Sequence, residues 1–78
     1  MPSAFVLINA EIGFESSVFR ELEKISSIKE AYVLHGIYDI IAKVEAESMD
    51  KLKGIISGNI RCLDKVRSTL TMIVIEGK

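Results

Sequence analysis

Seventy-eight residues, 49% of them apolar and with a formal net charge of −1, describe one small globular domain spanning 1–78 rather than a disordered or fibrous chain. A chain this short buries only about 60% of its unfolded surface, so its core is thin and oligomerisation is a common remedy. Its ten basic residues are dispersed among eleven acidic ones, without the basic stripe that would displace counterions from nucleic acid.

Residues 4–12, "AFVLINAEI", are rich in strand formers, too short for a helical pattern, and stop at Gly13. Residues 16–26 place Val18, Phe19, Leu22 and Ile25 on one helical stripe, with Ser16 as N-cap. Residues 28–36 and 38–46 read as two strands around a turn. Residues 48–58 form a second amphipathic helix, striped by Met49, Leu52, Ile55 and Ile56, capped by Ser48 and stopped at Gly58-Asn59. A β-branched strand over 68–76 closes the chain. This order predicts an α+β, ferredoxin-like βαββαβ fold: a four-stranded antiparallel sheet with both helices on one face.

Alternation within the strands carries a second inference. Ala4, Val6, Ile8 and Ala10 point one way and Phe5 and Leu7 the other, so both faces of the first strand begin apolar. The last strand repeats this, with Leu70, Met72 and Val74 against Ile73 and Ile75. Two helices cover one face only; the apolar residues of the other are either the half-exposed side chains normal on any surface or, on the favoured reading, a contiguous partner surface. A dimer packing sheet on sheet would also enlarge the thin core.

The fold hosts many activities, so function must be argued from particular residues. Cys62, the single cysteine, excludes both an intrachain disulfide and iron–sulfur ligation, and reads as a buried or half-buried thiol in a reducing compartment. No metal-ligand spacing and no cofactor motif is present. RNA recognition would need stacking aromatics on the middle strands, expected to be the first and either the one from residue 28 or the last; these carry no such cluster. No apolar run approaches the roughly 20 residues of a membrane span, and Met1-Pro2-Ser3 does not open a signal peptide. The cytoplasm is the expected location.

The turn His35-Gly36-Ile37-Tyr38-Asp39 is richer in chemistry than a hairpin needs. Gly36 fits a turn with positive φ, and Tyr38 fits a strand aromatic at the core edge. Asp39 is a strand-disfavoured acid that could accept hydrogen bonds from turn amides or from a ligand's ammonium. His35 could titrate near neutrality, but no serine or cysteine lies beside it in sequence to be activated.

"HGIYDIIAKV", with its Gly-x-aromatic-Asp signature, and "VRSTLTMIVIE", with Val-x-x-Thr-x-Thr before a terminal apolar strand, together resemble the leucine-responsive/asparagine regulator (Lrp/AsnC) family. The resemblance is to its C-terminal effector, or RAM, domain and extends over essentially the whole chain. It implies a sheet-to-sheet homodimer that assembles into a higher oligomer and binds an amino acid or related effector between dimers. It implies a binding rather than a catalytic site: Gly36 and Ile37 in the turn, Asp39 toward the effector's ammonium, Tyr38 as a pocket wall, and Thr69 and Thr71 offering polar groups. His35 departs from the small hydroxyl residue usual before the glycine. The family's N-terminal helix-turn-helix is missing from this sequence, so the expected role is a stand-alone module in the transcriptional regulation of amino acid metabolism. Full-length regulators of the same family are the expected partners, with no direct nucleic-acid contact. The alternative is a dimeric ferredoxin-like enzyme of the small monooxygenase or isomerase kind, using His35.

Overall fold

The computed structural model describes residues 1–77; Lys78, the last position of the expected domain, lies outside the described residues. The chain runs β1 (Ser3–Ala10), α1 (Glu15–Glu23), β2 (Ile28–Val33), β3 (Ile40–Glu45), α2 (Met49–Ile55) and β4 (Val66–Ile73). The strands form one antiparallel sheet in the order β2-β3-β1-β4. This is the predicted ferredoxin-like arrangement. Its central pair is β3 and β1, however, because β2 and β4 both take edges; the expectation of a central β2 or β4 is corrected.

The helices cover the face built from Ala4, Val6, Ile8, Ile40, Ala42 and Val44, all fully buried. Alanines alternate there with larger aliphatic side chains, and the small residues let the helices approach. Val18 and Leu22 from α1 and Leu52 from α2 supply the opposite layer. Burying each of the leucines contributes about 1.5–3 kcal/mol relative to leaving it in water. Met49, expected on the same stripe, is instead 38% exposed at the first turn of α2.

Several predicted boundaries move. The strand expected to reach residue 12 ends at Ala10, because Gly13 turns the chain with φ of +88°, a conformation that costs glycine little. Helix α1 starts before Ser16: Phe14 occupies the N-cap without a side-chain bond, while the Glu15 carboxylate accepts from the Gly13 amide at 3.1 Å. Ser48 does cap α2, its hydroxyl accepting from the Lys51 amide at 3.2 Å. Gly58-Asn59 fails to stop that helix, which continues through a wider π turn over Ile56–Ile60 and closes with the Arg61 amide donating to the Ile56 carbonyl at 3.0 Å. The continuation buries Ile56 and Ile60, and this apolar gain outweighs the local breaker signal. No helix among the described residues is long and apolar enough to cross a membrane.

Candidate functional site

The segment between β2 and β3 makes the end of the sheet into a corner, and Asp39 is its fixed point. Its backbone amide donates to the Ile8 carbonyl of β1 at 3.0 Å, and its carbonyl accepts from the Leu34 amide at 2.7 Å. Its carboxylate Oδ2 accepts from the Ala10 amide at 2.9 Å. One residue thereby ties β1 to both sides of the turn. This explains an acid at the head of an apolar strand: the carboxylate satisfies a backbone amide that would otherwise sit half-buried without a partner. The second carboxylate oxygen has no protein partner among the described residues.

His35, Gly36 and Ile37 project from this anchored corner as an exposed loop, and Ile37 is 89% exposed. Gly36 does not have the positive φ expected of it, and a Cβ at its position would meet nothing within 4 Å. Its conformation is open to other residues, so any need for glycine there comes from outside this chain's own contacts. Tyr38 and Asp39 are half-buried.

Thr69 and Thr71 lie elsewhere on the sheet. They stand opposite Ile8 and Val6 on β4, hence on the helix side of an edge strand that the helices leave open. Ile8 in turn stands opposite Ile40, so β1 separates Thr69 from the turn by two strand spacings, about 10 Å. The predicted residues thus divide into two groups within one chain, the turn 35–39 and the two β4 threonines. The clefts at the helix–strand junctions and at the start of β4 are lined by residues other than 35–39.

A cleft of about 350 Å³ does open at the start of β4, lined by Arg61, Val66, Arg67, Ser68 and Thr69. The sequence reading missed it because it counted the arginines as dispersed; the spacing of Arg61 and Arg67 around a turn was the available signal. Cys62, expected to be buried or half-buried, is exposed beside it, its thiol donating to the Gly58 carbonyl. Arg61 and Cys62 are exposed there, between buried Ile60 and half-buried Leu63. Among the described residues no group of three or more His, Cys, Asp and Glu is placed to hold a metal ion.

Comparison with known proteins places this geometry. The family model for the Lrp/AsnC ligand binding domain matches residues 3–77. The structure of FFRP-DM1 superposes with a TM-score of 0.93 at 39% identity, covering 96% of this chain and all of that one. AsnC of E. coli superposes with a TM-score of 0.90 at 30% identity over 97% of this chain and 52% of its own. Homocitrate synthase of Saccharolobus islandicus is 41% identical over 63 residues, which are 81% of this chain but 13% of the synthase. With the model matched nearly end to end and the fold reproduced, the chain belongs to the Lrp/AsnC ligand-binding domain family.

Proposed function

We propose that this domain is a regulatory sensor: it binds an amino acid or a closely related effector at the Asp39 corner and passes that state on through assembly. The observation that carries the reading is the anchored corner inside a matched ligand-binding domain. Asp39 is held rigidly by Ala10, Ile8 and Leu34, yet keeps one carboxylate oxygen free for an ammonium group. Gly36 and Ile37 form the exposed rim beside it, with half-buried Tyr38 as a wall, and His35 makes that rim bulkier than a small hydroxyl residue would.

In this reading the pocket is completed by a second copy. The turn lies open, and Thr69 and Thr71 lie beyond β1, so another protomer's β4 supplies those groups. The uncovered sheet face, with Phe5, Leu7, Ile41, Leu70 and Met72, is the homodimer surface, and contacts between dimers build the higher oligomer. The effector acts by binding one assembly state more tightly than another, since equal affinity would shift nothing. Regulation of transcription then runs through full-length regulators of the same family rather than through direct nucleic-acid contact, in the cytoplasm.

A second reading is favoured by the stretch shared with homocitrate synthase. The same module, joined to or docked on a biosynthetic enzyme, would set that enzyme's activity in response to a metabolite. The sensing chemistry is common to both readings; the recipient differs. Catalysis by the domain itself has less support, because His35 is exposed and makes no side-chain hydrogen bond among the described residues.

Thermal unfolding against each proteinogenic amino acid at millimolar concentration tests the proposal. An effector at a hundred times its dissociation constant stabilises the folded state by about 2.7 kcal/mol. The expected result is a selective upward shift that Asp39→Asn abolishes, since the amide still accepts from Ala10 but no longer attracts an ammonium. A flat panel, or a shift indifferent to Asp39→Asn, overturns it.

A further inference from the structure

We propose that the cleft at the start of β4 is a second ligand site, separate from the Asp39 corner of the same protomer, for a small metabolite carrying a doubly charged oxyanion: a phosphate or a dicarboxylate. Arg61 and Arg67 face this cleft together with Ser68 and Thr69. Among the described residues neither arginine forms an ion pair; Arg20, Lys29 and Lys53 are also without one, but Arg61 and Arg67 alone of these share a cleft with each other. A chain of net charge −1 therefore keeps two uncompensated guanidinium groups in one concavity. Such a concavity concentrates positive potential where a small anion can enter.

The backbone contributes to the arrangement. Val66 pairs with Ala10 and Ser68 with Asn9, so Arg67 is the extra residue of a β-bulge. A bulge breaks strict alternation and re-aims the side chain it carries, a device common beside binding sites. Here it sets Arg67 beside Ser68 at the cleft, although regular alternation would put them on opposite faces; Thr69, the next residue in regular pairing, lines the cleft from the helix side. Neither hydroxyl has a protein partner among the described residues, and β4 is an edge strand. Guanidinium forks with adjacent hydroxyls match the geometry of phosphate and carboxylate oxygens.

The size of the cleft selects the class of ligand. About 350 Å³ lies at the lower end of the range for small-molecule pockets. Two arginines suffice for a dianion but not for a nucleic-acid backbone, whose binding rests on many phosphate contacts. Val66 is half-buried at the cleft wall, and no large aromatic lines it, so a nucleobase has nothing to stack on.

The test is a titration of isotopically labelled full chain, followed by amide and arginine Nε–H resonances, with inorganic phosphate, succinate and acetate at fixed ionic strength and slightly alkaline pH. The expected result is saturable movement of Arg61, Arg67, Ser68 and Thr69 with phosphate or succinate, and binding of the monoanion acetate weaker by about tenfold or more. Which dianion saturates identifies the phosphoryl or the dicarboxylate class. Arg67→Gln weakens the binding by about tenfold or more without changing the unfolding midpoint. Because the sensor reading also gives Thr69 to a partner's Asp39 corner, Arg67→Gln is carried through the amino acid panel as well: dianion binding lost with the amino acid shift retained separates the two sites, and loss of both overturns their separation. Shifts that rise without saturation, spread over all basic residues, or survive Arg67→Gln overturn the proposal.

Discussion

The two faces of the sheet begin from the same alternation and end in different states. On the helix side every residue of the central strands is buried, and Ala4, Ala10 and Ala42 provide the shallow places into which helical side chains fit. On the open side the corresponding positions are larger: Phe5 is 37% exposed, and Leu70 and Met72 are each 45% exposed. The open face is itself divided. Its β1–β4 half is apolar, whereas its β2–β3 half carries Glu30, Lys43 and Glu45, with Lys43 between the two acids at 4.0 and 3.7 Å and over the Phe5 ring at 6.0 Å. Residue size separates the face that the helices cover from the one they leave open. Hydrophobicity alone does not.

The comparison breaks most sharply on the covered side. Leu22→Ala removes a fully buried side chain from α1 and is expected to cost about 2–5 kcal/mol, a large fraction of the stability of a domain this small. Urea unfolding measures it, and a loss below 1 kcal/mol would mean that the site collapses around the missing atoms.

A substitution on the open side is expected to act through assembly. Leu70→Lys leaves the helix-side core untouched, so its direct effect on the isolated fold stays within roughly 0.5 kcal/mol of zero. If that face closes a dimer, sedimentation shows the variant at a lower mass than the wild type. The rise of the wild-type unfolding temperature with protein concentration disappears as well. Unchanged mass in Leu70→Lys would mean that the apolar half is simply solvent-facing.

The smallest expected effect concerns the polar half. The Tyr32 hydroxyl donates to the Glu30 carboxylate at 2.9 Å. That hydrogen bond first, and then the nearby negative charge, raises the phenol above its ordinary value of 10.0. A raised pKa on an acid favours the neutral form in the folded chain. Its stabilising contribution is therefore present below the unfolded value and is lost as pH rises through the folded one. Glu30→Gln should lower the titration midpoint of Tyr32, followed by its ring resonances. An unmoved Tyr32 would show that the bond does not persist in solution.

Much of this could be read from the residues themselves. Element order, the helix-side stripe of Val18, Leu22 and Leu52, and the Ser48 cap all arise from local periodicity and local hydrogen bonding. The turn 35–39 could be picked out because Asp39 is out of character for a strand. What the carboxylate does could not, since its partner, the Ala10 amide, lies 29 residues earlier and meets it only through sheet pairing. Gly58-Asn59 misled for a related reason: the stop signal is local, but burial of Ile56 and Ile60 against the sheet depends on the whole fold.

The sequence by itself determined the fold class, the two apolar faces and the family signature, because strand alternation, helical spacing and short motifs are properties of neighbouring residues. Only the tertiary structure decided which strands are central, which face the helices cover, and that Thr69 and Thr71 stand apart from Asp39. It alone set Arg67 in a bulge beside Arg61. These outcomes depend on pairing register between distant segments, where one extra residue changes which side chains share a face.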